Sequence, residues 1–103
     1  MIVEYDKDYL LELYENGRCK NKRFRFQPQV VRKYLRRIDT LMAATRLEDL
    51  YVFNSLNFEA QQGCDMYSIR IDKQYRLEFR AKNAHNDFVV TVCRVIDITN
   101  HYQ

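Results

Sequence analysis

The chain has 103 residues, enough for one domain (1–103) and too few for two. Hydrophobic residues make up 47%, so a core forms without staples. The 17 basic residues against 14 acidic leave a net charge of +3, too mild by itself to indicate nucleic acid. Cys19, Cys64 and Cys93 are odd in number, widely spaced and free of any CxxC pair. That argues against a disulfide framework or a zinc site and for a reducing, cytoplasmic setting. No apolar run approaches the ~20 residues of a membrane span. The opening Met-Ile-Val-Glu-Tyr has no basic leader before an apolar stretch, so no export signal is expected.

Met1 to Tyr5 reads as a first strand, with β-branched Ile2 and Val3. Asp6 or Asp8 is expected to cap a helix through Asn16. Tyr5, Tyr9, Leu10, Leu13 and Tyr14 fall on one of its faces, and Gly17 ends it. Arg18 to Phe26, RCKNKRFRF, admits two readings. Its cations meet phosphate while its aromatics stack on bases, or it is a solvated connection whose phenylalanines pack on the core. The packing reading is adopted for Phe24 and Phe26. For the cations both stay open. A second helix starts at Pro28 and runs to about Ala44, burying Val31, Tyr34, Leu35, Ile38, Leu41 and Met42. Its back, Arg32, Lys33, Arg36 and Arg37, is a solvated face, a phosphate-binding ridge or a surface for an acidic partner.

Thr45 and Glu48 have capping-box spacing, and Tyr51 to Gly63 reads as an irregular strand or loop. Met66 to Ala81, MYSIRIDKQYRLEFRA, reads as a hairpin turning at Asp72-Lys73. Tyr67, Ile69, Ile71, Tyr75, Leu77 and Phe79 share the buried parity. Arg70, Arg76, Glu78 and Arg80 share the other, which is expected to be presented to an anionic partner. Lys82 to Asp87 is a predicted polar turn, with His85 facing water. Phe88 to Asp97, apolar on both parities, is a predicted central strand covered on both faces, and Ile98 to Gln103 is a tail. Helices followed by strands predict an α+β fold: two helices on one face of an antiparallel sheet, with the open concave face carrying the site.

The opening MIVEYDKDYLLELYENG, the helix PQVVRKYLRRIDTLMAAT with RLEDL, the hairpin YSIRIDKQYRLEFR and the ending IDITNHY together resemble the RelE/ParE superfamily of toxins. The resemblance is strongest to the HigB branch, the plasmid-maintenance killer type. It covers nearly the whole chain and implies a type II toxin–antitoxin toxin with a RelE-like fold. Its implied activity is ribosome-dependent mRNA cleavage, in which the RNA 2′-hydroxyl attacks the adjacent phosphate without metal or cofactor. The implied partners are the ribosome, mRNA and a HigA-like helix-turn-helix antitoxin. Operator DNA would be met only through that antitoxin.

Carried onto this sequence, the resemblance assigns catalysis to Arg76, His101, Tyr102 and Asp97, with Asn100 taking the place of Asp97 if the match slips. Arg70, Lys73, Arg80 and Arg94 are candidates for flanking phosphates. The plain alternative for Arg76 is an ion pair with Glu59 or Glu78. For the tail the alternatives are a frayed end and an aspartate that merely closes a strand. The loop Glu59-Ala60-Gln61-Gln62-Gly63 lacks the Lys or His that relatives place there, which leaves Glu59 or His101 to move protons. Two other readings remain: a ParE-like inhibitor of DNA gyrase, and an inactive module that only binds.

Overall fold

The computed structural model describes residues 1–85 and 89–100, excepting the side chains of 84, 85 and 89. Strand β1 (Ile2–Tyr5) leads into helix α1 (Asp8–Asn16) and then helix α2 (Pro28–Ala43). Strands β2 (Glu59–Ala60), β3 (Met66–Arg70), β4 (Tyr75–His85) and β5 (Val89–Asn100) follow. The predicted Asp cap of α1 is not made. Lys7 holds the cap position, and Asp8 lies in the first turn, where a negative charge favours the helix dipole. Gly17 closes α1 at φ +75°, its N–H donating to the Leu13 carbonyl, a backbone conformation glycine adopts without strain.

α2 starts at Pro28 and buries Val30, Val31, Tyr34, Ile38 and Leu41. Each such side chain stabilises the fold by about 1.5–3 kcal/mol when fully covered. Met42, expected in that stripe, is exposed. Tyr34 ties the two helices, its hydroxyl donating to the Leu10 carbonyl at 2.6 Å. The predicted Thr45–Glu48 box is replaced by Asp49, whose carboxylate accepts from the main-chain N–H groups of Thr45 and Arg46. Those bonds hold the Asp49 carboxyl below its ordinary range.

The sheet order is β1-β5-β4-β3-β2. β1 lies parallel to β5, and every other pairing is antiparallel. Both helices pack on one face, against Ile69, Leu77, Phe79, Cys93 and Val95. Phe24 and Phe26 do pack on the core. Phe24 stacks on Tyr9 with ring centres 3.9 Å apart, and Phe26 meets Tyr75 edge-on at 5.3 Å.

Two features at the strand ends differ from expectation. Lys82 to His85, expected in a polar turn, continue β4 opposite Val92 to Val89, and residues 86–87 of that turn lie outside the described residues. β5 is also not covered on both faces. Glu78 lies opposite Asp97 while Phe79 lies opposite Val95, so Ile96 is an extra residue, a β-bulge. The bulge reverses the parity of β5. Cys93 and Val95 face the core before it and Ile98 after it, while Arg94 is exposed. Apolar residues on both parities thus reflect a change of register within a strand that has one open face.

Candidate active site on the open sheet face

The open face is built from the charged parity of the hairpin. Antiparallel pairing sets Ser68 opposite Glu78 and Arg70 opposite Arg76, and β5 sets Thr99 opposite Arg76. A cleft of about 460 Å³ opens there, lined by Glu59, Gln61, Ser68, Arg76, Glu78, Thr99 and Asn100 among others. Its size lies in the range of small-molecule sites.

Arg76 is the floor of this cleft. The alternation of the hairpin puts it on the open face as expected, but it is not displayed there: only 7% of it is exposed. A buried guanidinium needs partners. Its Nε donates to the Ser68 hydroxyl at 3.0 Å, and its Nη2 donates to the carbonyls of Asn57 at 2.7 Å and Ser68 at 3.2 Å. Glu59, from the short edge strand β2, lies 3.7 Å from the same Nη2. Two guanidinium nitrogens therefore orient the group, and the third, Nη1, has no hydrogen-bond partner among the described residues. Asn57 presents its carbonyl from a left-handed backbone at φ +43°, which asparagine tolerates better than most residues.

Asp97 does not line the cleft. It faces the start of α1, where its carboxylate accepts from the Tyr9 hydroxyl and pairs with Lys7 at 2.9 Å. Burial and this bond to Asp97 push the Tyr9 hydroxyl well above the ordinary phenol range. Asn100, its alternative, does line the cleft. Arg80 pairs with Asp65 at 2.9 Å, and Arg94 pairs with Glu4 at 3.4 Å and Asp6 at 3.2 Å. Lys73 is exposed in the turn between β3 and β4. Arg70 turns toward its own hairpin turn, its Nε donating to the Asp72 carbonyl. His101 and Tyr102 lie outside the described residues. Among the described residues no cluster of His, Cys, Asp and Glu has the make-up of a metal site.

Ser68, Asn57, Glu78 and Thr99 were not singled out from the sequence as site residues. Ser68 and Glu78 were within reach, since both share the parity of Arg76. Thr99 required the bulge, and Asn57 required the path of the loop before β2.

The opposite side of the molecule has a different charge character. From Arg18 to Arg37 every charged residue is Lys or Arg. None of them lies within ion-pair distance of a carboxylate among the described residues.

An α+β fold with a mostly antiparallel five-stranded sheet and helices packed on one face is consistent with the RelE-like toxins. A solved structure described as a YoeB/ParE toxin from Agrobacterium tumefaciens shares this fold at a TM-score of 0.51. It is 16% identical and covers 99% of this chain and 100% of its own. No curated protein matches the chain. Residues 3–92 match the family of HigB-like toxins, described as RelE-like toxins of the type II toxin–antitoxin system HigB. The chain belongs to that family and is a type II toxin, which implies an antitoxin partner.

Proposed function

We propose that this toxin is a ribosome-dependent mRNA endonuclease, a single domain over 1–103 that cuts by 2′-hydroxyl attack on the adjacent phosphate. The observation that carries this reading is Arg76: buried in a cleft, oriented by Ser68 and Asn57, with one guanidinium nitrogen uncommitted. Charge builds on the non-bridging oxygens as the phosphorane forms. A fixed donor aimed at those oxygens stabilises that state more than the ground state. The same requirement argues against a surface ion pair as the whole role of Arg76. Glu59 is 58% exposed, and a partner so open to water offsets the burial of the guanidinium poorly.

Three further roles complete the scheme. Glu59, beside Arg76, takes the proton of the attacking 2′-hydroxyl. The P–O5′ bond then breaks, leaving a 2′,3′-cyclic phosphate. His101 delivers the proton to the departing 5′-oxygen, and Tyr102 stacks on the adjacent base. Both follow directly on Asn100 of the cleft wall. Asp97 acts from outside the cleft, by fixing the end of β5 against α1.

The helix-side cations suit the second requirement of such an enzyme, a long-range attraction to ribosomal RNA. The cognate antitoxin is then a HigA-like helix-turn-helix protein, and operator DNA is met only through it.

Primer extension on a message in a translating extract tests the reading. Wild type is expected to cut within codons, leaving 5′-hydroxyl ends, and Arg76→Ala and His101→Ala to lose the cuts. The ParE name carried by the structural relative keeps one other target in view. Intact message with inhibited gyrase supercoiling would establish that target instead. Neither effect would leave a binding module.

A further inference from the structure

Arg70 is the one arginine of the described sheet face without a carboxylate at ion-pair distance, and it lies directly across the strand pair from Arg76. Like charges opposed in this way destabilise a sheet. Helix α2 adds to the repulsion instead of relieving it. Half-buried Arg37 reaches over the hairpin, and its Nε donates to the Arg70 main-chain carbonyl at 2.6 Å. Arg70 is held in the same manner, its Nε bonded to the Asp72 carbonyl at 3.0 Å. Each guanidinium is thus fixed along one edge by a main-chain oxygen. Among the described residues neither uses Nη1 or Nη2 in a hydrogen bond, and no buried side-chain nitrogen lacks a partner, so both forks reach solvent. Burial, then Arg36, then Arg70 pull the Arg37 guanidinium below its ordinary value, the signature of uncompensated charge.

We propose that Arg37 and Arg70 form a phosphate-binding subsite at the turn end of the β3–β4 hairpin, which holds a phosphodiester of the single-stranded RNA leaving the cleft. The ligand's identity rests on the ribonuclease reading. The site itself rests on the two fixed guanidinium forks. Two planar forks offer paired donors to tetrahedral phosphate oxygens, a match that a point-charged lysine does not give. Arg70 is one strand spacing from Arg76, about 4.8 Å between backbones, so a strand anchored on Arg76 passes Arg70 next. Through Arg37 the subsite also touches α2, which carries Arg32, Lys33 and Arg36 on its exposed back.

The test uses the full chain and a labelled six-nucleotide RNA, 2′-O-methylated throughout so that it cannot be cut. Anisotropy follows its binding across a salt series. Arg37→Gln is expected to weaken binding about tenfold and to lower the log–log salt slope by about 0.7. Its ligand-free thermal midpoint should equal or exceed that of wild type, because a repulsion has been removed. Arg37→Lys keeps the charge and loses the fork, so it should bind between the two. Unchanged RNA binding in Arg37→Gln overturns the subsite, as does a lowered midpoint with binding intact, which would make Arg37 a structural clamp. A poly-glutamate peptide that depends on Arg37 where the RNA does not would overturn it in favour of an acidic protein partner. The ribonuclease reading fails separately. Arg37-dependent RNA binding with no cuts in a translating extract leaves the subsite standing. Cuts with Arg37-independent binding remove the subsite alone.

Discussion

On the open sheet face, Arg76, Arg80 and Arg94 each have a carboxylate at ion-pair distance. On the loop and helix side, no Lys or Arg from Arg18 to Arg37 has one among the described residues. The first arrangement spends charge on geometry. Arg76 is buried and oriented, with Glu59 beside it at 3.7 Å. The second leaves charge unpaired by the protein and, half-buried Arg37 apart, exposed to solvent, where it acts over a Debye length of about 8–10 Å. One region is suited to position a single phosphate, the other to attract many.

Removing the oriented guanidinium should break this contrast most severely. Arg76→Ala is expected to reduce codon-internal cleavage by about a hundredfold or more, by analogy with the loss of a fixed oxyanion donor. Arg76→Lys should rescue little, since a compact ammonium lacks the planar fork that spans Ser68, Asn57 and a ligand from separate nitrogens. Cleavage that survives Arg76→Ala would move the chemistry out of this cleft.

Charge reversal on the other side should act on affinity alone. Arg32→Glu, Lys33→Glu and Arg36→Glu together are expected to weaken ribosome binding about tenfold or more. They should also flatten its log–log salt slope by about 0.7–0.9 for each phosphate left unneutralised. The thermal midpoint should move little, because Arg32, Lys33 and Arg36 are exposed. A salt slope equal to that of wild type would show that the basic helix back is merely solvated.

Beneath both regions lies one core, and its alkaline limit is open to measurement. Burial pushes the Cys93 thiol up to about 11 from 9.0, and burial then Tyr14 push Tyr5 up to about 12 from 10.0. These raised values mean that the neutral forms are favoured in the fold. Their contribution is complete below pH 9 and is lost as pH rises through 11 to 12, about 2–3 kcal/mol for Cys93. Urea unfolding from about pH 8 to 11 should show stability falling from near pH 9. Cys93→Ala should delay that fall toward pH 10, where Tyr5, Tyr9 and Tyr34, all raised by burial, take over.

Asp97 marks the boundary of the cleft. If it acts by anchoring β5 to α1, Asp97→Asn should cost about 1–2 kcal/mol in denaturant unfolding through weakened bonds to Lys7 and Tyr9. Cleavage per folded molecule should then change little. Lost cleavage with unchanged stability would return Asp97 to the catalytic set. The smallest effects are expected at the exposed pairs. Arg80→Ala and Arg94→Ala should each change stability by under about 1 kcal/mol and RNA affinity hardly at all. A strong loss of RNA binding in either would show that the sheet face works by net charge after all.

How far the site could be read from the sequence follows from the same contrast. The hairpin alternation of Met66 to Ala81 placed Arg76 on the open face, because side-chain direction in a strand is a local property. Its burial was not legible. That depends on Asn57, nineteen residues earlier, and on Glu59 of the edge strand. In the same way, the resemblance assigned Asp97 to the site without showing where its side chain points. The Ile96 bulge and the start of α1 decide where it points.

By itself, then, the sequence determined the helices, the hairpin, their order and the run of cations from Arg18 to Arg37. All of these are written in periodicity and composition over neighbouring residues. Only the tertiary structure decided which arginines of the sheet face are neutralised, since each carboxylate that does so lies on another element or loop. It alone brought Arg37 of α2 against Arg70 of the hairpin, thirty-three residues apart. Pairing of charges across the fold is a matter of distance in space, and no local pattern of residue types encodes it.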